Sequence, residues 1–252
     1  MASPLITKLG HGVQLRQADK KILTGLTAMV RTLGPRRDLV MQGRETSLLP
    51  VILDGCACRS RLLENGKRQL TALYLPGDIC EPFGALPRVM NSTLSTLTSC
   101  KVSFVSPAAF RAAAQASPLI DEALWWDLLV AISIDQERLV SLGRRSALER
   151  LAHLFCELHV RLQMIGRADS NRYELMITQT DISDLLGLTS VHVNRSIRSL
   201  KEAGLISLRG RHLTIHDMGQ LREVADFDPS YIECQVQGHV ALPNRAFAST
   251  LS

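Results

Sequence analysis

Long apolar runs are missing from this sequence. The longest, such as Leu128-Leu129-Val130-Ala131-Ile132, are short and interrupted, and none approaches the roughly 20 residues that a membrane-spanning helix needs. The opening residues, Met1-Ala2-Ser3-Pro4-Leu5, lack a basic region followed by an apolar core. No secretory leader and no membrane partner are therefore expected, and the expected location is the cytoplasm. The six cysteines, at 56, 58, 80, 100, 156 and 234, are scattered rather than set in a dense framework. That pattern argues for reduced thiols packed as small apolar groups. The chain also lacks a Gly-x-Ser-x-Gly elbow, a P-loop, a dinucleotide fingerprint and a His-Glu-x-x-His pair. Those absences remove the common local signatures of enzymes, and no catalytic residue or cofactor is assigned. No internal repeat or low-complexity segment is found.

What is present is a globular composition, 46% hydrophobic and 21% charged over 252 residues. It excludes wholesale disorder and collagen-like repeats, and the length suits one large domain or two modest ones. The balance of 29 Lys and Arg against 24 Asp and Glu gives a net charge of +5, mildly favouring a polyanionic partner. The charge is uneven. Residues 144–222 carry twelve basic and eight acidic side chains, whereas 223–252 carry one basic and four acidic. Arg195, Arg198, Lys201, Arg209 and Arg211 crowd together with Glu202 opposing them.

Up to about residue 116 the chain reads as β-rich. Val51-Ile52-Leu53 ends at Asp54-Gly55, and Leu62-Leu63 and residues 70–75 flank Asn65-Gly66. Both residues of that pair tolerate positive φ, which predicts a tight hairpin. Pro76-Gly77-Asp78 is a second turn signal, and residues 93–105 are rich in Thr, Ser and Val. Several short strands spaced by turns predict a sandwich or barrel-like roll. A helical segment is expected before it, around residues 20–33.

A long helix is predicted over 118–142, with Pro118 in its first turn and Gly143 as its stop. Leu124, Leu128, Ala131, Leu139 and Leu142 form one apolar stripe, and Trp125, Leu129 and Ile132 extend it to a second side. Such a helix buries both sides, either within its own domain or against a second subunit. A further helix is predicted over 146–165, followed by a polar, glycine-containing loop at 166–171.

Residues 177–215 are the most informative. Thr178 precedes Gln179-Thr180-Asp181, so its hydroxyl can cap a helix whose apolar face is Ile182, Leu185 and Leu186. Gly187 then ends that helix in a sharp turn, and Leu188 is expected to be a buried plug. Thr189 can cap a second helix in which Val193, Ile197 and Leu200 face inward, while Ser183 is small where the two helices meet. Helix, glycine turn, helix is the helix-turn-helix pattern. Ser190, Val191, Asn194, Arg195 and Arg198 then form the face a major groove would meet. Arg195 suits guanine, Asn194 suits adenine and Val191 suits a thymine methyl, with His192 at the edge. Residues 205–208 and 213–215 flank Arg209-Gly210-Arg211-His212, which predicts a β-hairpin wing with two arginines against the DNA backbone.

Leu75-Pro76-Gly77-Asp78-Ile79, the helix ending near Gly143, and residues 177–215 together resemble the Crp/Fnr superfamily of bacterial transcription regulators. The resemblance covers about residues 10–222. It implies an α+β fold with a jelly-roll-like, cyclic-nucleotide-binding-like β-roll sensor at 1–117. A dimerisation helix would follow at 118–143, a winged helix-turn-helix at 144–226 and a tail at 227–252. It implies a homodimer on palindromic double-stranded DNA, with Ser190, Val191 and Arg195 at recognition positions and Thr178 and Gln179 near phosphates. Ser190 and Val191 depart from the Arg-Glu pair of the catabolite activator protein, so that protein's target sequence does not transfer. RNA polymerase and an unidentified small-molecule effector are the further partners this leaves open. The alternative is a sensor or adaptor that signals through protein contacts without binding DNA.

The resemblance also bears on the effector. In cyclic-AMP-responsive relatives a Gly-Glu-Leu stretch holds the ribose and an Arg-Ser pair neutralises the phosphate. Here those regions read Cys80-Glu81-Pro82-Phe83 and Met90-Asn91-Ser92, making Glu81, Phe83, Arg88, Asn91 and Ser92 the candidate effector-binding residues. With no arginine at the phosphate position, burying a phosphodiester is costly, and cyclic AMP is not expected. No cysteine precedes Cys56, which argues against the N-terminal iron–sulfur cluster of the oxygen-sensing branch. Haem ligation, used in another branch, has no positional support. Cys56 and Cys58, and the set His153, Cys156 and His159, are read as packed side chains rather than metal sites.

Overall fold

Short runs of β-branched and apolar residues between turns make two facing antiparallel sheets, and long apolar-periodic runs make the helices around them. The computed structural model describes residues 3–80 and 89–233. Helices α1 (Pro4–Gly12) and α2 (Gln17–Leu26) precede seven strands. These are β1 (Val30–Leu33), β2 (Asp38–Val40), β3 (Leu49–Asp54), β4 (Ala57–Leu62), β5 (Arg68–Tyr74), β6 (Thr93–Thr96) and β7 (Cys100–Val105). One sheet has the order β1-β7-β3 and the other β2-β6-β4-β5. Ile52, Cys100 and Val102 from the first meet Ala57, Tyr74 and Leu94 from the second in one buried cluster, the interior of the roll. Helix α3 (Pro107–Ala116) leads into α4 (Pro118–Arg144) and α5 (Ala147–Met164). The order then runs β8 (Arg172–Glu174), α6 (Gln179–Leu186), α7 (Ser190–Glu202), β9 (Ile206–Arg209), β10 (His212–Ile215), α8 (Met218–Ala225) and α9 (Ser230–Glu233). The architecture is α+β: a β-roll, a long helix and a helix-turn-helix with a wing. Among the described residues no helix is long and apolar enough to cross a membrane.

Several local expectations are corrected. The early helix ends at Leu26, and Val30–Leu33 is a strand paired with Cys100–Ser103. The β-branched Val30 and Thr32 follow their sheet partner there rather than helical continuity. The hairpin between β4 and β5 has a longer connection, with Leu63 N donating to Lys67 O and Gly66 N to Leu63 O. Gly66 alone takes the left-handed conformation (φ 78°), and the Asn65 side chain instead accepts from Lys67 N. Gly143 does not stop α4, which runs on to Arg144, because Gly143 keeps a negative φ instead of the left-handed conformation of a helix-ending glycine; Ser146 and Glu149 then form the capping box of the next helix.

Helix α4 also faces differently from the expected main stripe. Ile120, Ala123, Trp126, Asp127, Val130, Ile134 and Ser141 turn inward. Leu124, Leu128, Ala131 and Leu142 are half-buried, and Leu139 is 70% exposed. The inward register places Asp127 against Lys8 and seats Trp126 in the core, a choice that apolar spacing alone does not encode. The second side is the free one: Trp125 is 59% and Leu129 53% exposed, with Ile132 and Val140 also open.

One apolar cluster joins the parts. Leu70, Leu73 and Leu75 beside β5, Trp126, Val130 and Ile134 of α4, and Leu151, Phe155, Ile182, Val193, Ile197 and Leu213 of the C-terminal module belong to it. The first residues after α8 fold back onto it through Phe227 and Ile232.

Candidate nucleic-acid interface

Helix α6 starts where the sequence says it should. Thr178 Oγ1 accepts from Asp181 N, and the Asp181 carboxylate accepts from Thr178 N at 3.0 Å and from the Thr178 hydroxyl at 2.7 Å. Both residues are therefore engaged in a reciprocal cap. Gly187 ends the helix in the left-handed conformation (φ 62°), where a Cβ would be strained, while Leu188 N donates back to Ser183 O. Ser183 is buried and donates to Gln179 O at 2.9 Å. Leu188 is half-buried rather than a full plug, lying against the cluster's edge.

Thr189 accepts from His192 N and starts α7. Val193, Ser196, Ile197 and Leu200 are buried; Ser190, Val191, His192, Asn194, Arg195 and Arg198 are exposed. The helix therefore presents one polar, solvent-facing side along its whole length, anchored by an apolar side at three- and four-residue spacing. Strands β9 and β10 pair antiparallel, with Arg209 opposite His212 around a Gly210-Arg211 turn, and β8 completes the sheet. Tyr173, on β8, donates its buried hydroxyl to Phe155 O at 3.0 Å, which ties this wing to α5.

The cations are not equally free. Arg198 Nε lies 2.7 Å from Glu202 Oε1, and Arg211 Nε lies 3.2 Å from Glu174 Oε1. Both pairs are more than half exposed, so each contributes little and yields readily to a stronger anion. Arg195 and Arg209 have no ion-pair partner among the described residues. Thr178 and Gln179 are exposed at the start of α6.

The sensor-side candidates are only partly placed. Glu81, Phe83 and Arg88 lie outside the described residues. Asn91 is exposed and Ser92 buried, and the Ser92 hydroxyl has no hydrogen-bond partner among the described residues. A cavity of about 80 Å³ lies elsewhere, between β5 and α4, and is lined by Leu73, Trp126, Val130 and a set of mutually paired charges. Cys56, Cys58, Cys80, Cys100 and Cys156 are all buried. Burial pushes the Cys156 thiol up to about 12, far from the reactive thiolate range. His153 packs among Phe227 and Tyr231, as expected of a packed side chain.

Sequence reasoning missed a set of contacts between the roll and α6. Arg36 and Arg68 reach Asp181 and Asp184, and Gln69 Nε2 donates to Leu185 O at 3.1 Å. Arg150 donates to Leu142 O and Leu186 O, joining the ends of α4 and α6. The partners are far apart in sequence, 145 residues for Arg36 and Asp181. No local signal marks them.

Roll, long helix and winged helix-turn-helix define a class: transcription regulators that carry a sensor-like domain on a DNA-reading module. Residues 149–224 match the Crp-like helix-turn-helix domain. The nitrogen fixation regulation protein FixK of Azorhizobium caulinodans is 30% identical over 176 residues, 69% of this chain and 70% of that protein. The transcriptional activator protein FnrL of Cereibacter sphaeroides is 28% identical over 196 residues, 75% and 77% of the two chains. The structure of FixK2 from Bradyrhizobium japonicum superposes with a TM-score of 0.68 at 23% identity, covering 78% of this chain and 96% of that one. The chain belongs to the Crp/Fnr family. It is a transcription regulator with a DNA-binding helix-turn-helix, and its relatives are regulators rather than enzymes.

Proposed function

We propose that the protein binds a palindromic duplex site as a homodimer, with α7 of each subunit in the major groove. The reading is carried by the outward face of α7, where Ser190, Val191, Asn194 and Arg195 are all exposed while Val193, Ile197 and Leu200 are buried. Arg195 presents two parallel donors to a guanine, Asn194 pairs with an adenine and Val191 meets a thymine methyl. Thr178, Gln179, His192, Arg198, Arg209 and Arg211 take phosphate or groove-edge contacts, which set register without reading sequence. The open stripe of α4, Trp125, Leu129, Ile132 and Leu139, recurs at intervals of three, four and seven residues. That is the spacing of a helix seam, and it supports pairing of two α4 helices. Residues 1–117 then act as sensor, 118–143 as dimer seam, 144–226 as reading head and 227–252 as a tail. Two reading heads one helical turn apart meet half-sites about 34 Å from each other.

The effector of the roll is not cyclic AMP. Asn91 and Ser92 bring no cation to the phosphate position, and a buried phosphodiester needs one. RNA polymerase is the partner such a dimer meets at a promoter.

Selection from random duplex DNA with the full-length protein, followed by anisotropy titration across salt concentrations, tests the reading. The expected result is an enriched sequence with twofold symmetry, bound by two chains per duplex, with affinity falling steeply as salt rises. No enrichment, together with salt-insensitive signal, overturns it. Sedimentation of Leu129→Glu checks the seam: a shift to monomer is expected, and an unchanged dimer places the interface elsewhere.

A further inference from the structure

We propose that Arg36 and Arg68, both in the roll, are positioning residues for DNA reading: they grip Asp181 and Asp184 of α6 and so set the angle at which α7 is presented. The inference rests on the DNA-reading function proposed above. Arg36 makes a two-pronged contact, Nη1 to Asp181 Oδ1 at 2.8 Å and Nη2 to Oδ2 at 3.0 Å. Arg68 divides its donors between the two acids, Nη2 to Asp181 Oδ1 at 3.0 Å and Nε to Asp184 Oδ2 at 2.8 Å. Asp181 is 1% exposed, and its carboxylate is saturated by these arginines and by Thr178.

Three features make this more than a surface ion pair. The paired forks fix direction as well as distance, which apolar packing between the same parts does not. Arg36 itself is held in the left-handed conformation, φ 57°, uncommon for a residue with a side chain. Its loop is pinned around the fully buried Thr96: Arg36 N donates to Thr96 O, Arg37 N to Thr96 Oγ1, and Thr96 Oγ1 to Gly34 O. The guanidinium thus projects from a fixed point of the roll. Helices α6 and α7 share one core across the Gly187 turn, so holding α6 holds α7. The grip leaves the outward face of α7 exposed, so it favours the presentation that binding needs.

The test uses the full-length protein and three variants: Arg36→Gly with Arg68→Ala, Arg68→Glu alone, and Arg68→Glu with Asp184→Arg. Glycine accepts the φ of position 36, so the first variant removes the guanidinium without straining the loop. Amide hydrogen exchange across residues 179–202 is expected to quicken in it. Affinity for the selected duplex is expected to fall about tenfold, as when the competent orientation drops to about a tenth of the population. The slope of log affinity against log salt is expected to stay as in the wild type, because these arginines hold carboxylates rather than phosphates. The charge exchange is expected to recover part of what Arg68→Glu loses. Unchanged exchange and affinity in the first variant overturn the proposal, as does tighter binding. A salt slope reduced by about one per arginine removed also overturns it, making these residues phosphate contacts. A charge exchange no better than Arg68→Glu counts against it equally. If the wild type binds no duplex, the DNA-reading function fails first, and the exchange measurement still decides whether the grip holds α6.

Discussion

Two charge-rich regions of this molecule treat their charges in opposite ways. At the seam where β5, α1, α4 and α5 meet, Lys8, Arg138 and Arg161 face Asp78, Asp127 and Glu157, three cations and three anions, all largely buried. Arg161 Nη2 lies 2.8 Å from Asp78 Oδ2, its Nη1 2.9 Å from Glu157 Oε1, and it donates to Leu73 O at 3.0 Å. Burial opposes the charge on Asp78 and Glu157, yet Lys8 and Arg161 beside the first, and Arg138 and Arg161 beside the second, hold both carboxyls below their usual range. For Asp127 burial prevails and its pKa is raised. On the reading face, Arg195, Arg198, Lys201, Arg209 and Arg211 are exposed, and the ion pairs formed there involve Glu202 and Glu174 alone among the described residues. Charge that orients parts of the chain is neutralised inside it. The charge on the exposed face of the helix-turn-helix and wing stays at the surface, either unpaired among the described residues, as at Arg195 and Arg209, or in exposed pairs, as at Arg198 and Arg211.

The sharpest way to break this contrast is at the seam. Arg161→Met leaves Asp78 and Glu157 buried without their shared partner and is expected to cost about 3–5 kcal/mol in urea unfolding. A loss under about 1 kcal/mol would make the seam's charges dispensable. On the other side, Arg195→Ala is expected to weaken specific DNA binding by about 1–3 kcal/mol and relax one base position in each half-site. Its unfolding free energy should stay within about 0.5 kcal/mol of wild type. An unchanged base preference would mean that α7 lies differently in the groove.

Acid provides a third probe. Burial holds His153 below its usual pKa of 6.5, outweighing the nearby Glu157. The neutral imidazole is favoured in the folded state, so its contribution is complete above about pH 6.5 and is lost as pH falls through the lower folded value. Stability is therefore expected to decline as pH falls below about 6.5, by up to about 1.4 kcal/mol per pH unit for this group. The decline should be shallower in His153→Gln; an identical slope would assign it to other groups. The smallest effect is expected from Arg209→Ala, which should weaken binding to all duplexes evenly and reduce the salt slope by about one. A sequence-selective loss would move Arg209 from the backbone to a base.

The reading head was legible because its instructions are local. Thr178 and Thr189 cap helices within three residues of themselves, Gly187 turns where it stands, and Val193, Ile197 and Leu200 declare their side by spacing. The long helix was legible in length and in its second apolar side. Its inward register was not, because Lys8 and the pocket for Trp126 choose it, and they come from other elements. The strand at Val30–Leu33 was missed for the same reason, since its partner lies about seventy residues on.

By itself the amino-acid sequence determined the β-roll, the long helix and the winged helix-turn-helix, with the polar outward face of α7. Caps, turns and apolar periods act over a few residues and are written in order along the chain. Only the tertiary structure decided which side of α4 is covered, and how Arg36 and Arg68 hold α6 against the roll. Those outcomes depend on groups more than a hundred residues apart, such as Arg36 and Arg68 meeting the buried Asp181 carboxylate. The strength of a charge pair there is set by burial and angle, which no reading of neighbouring residues contains.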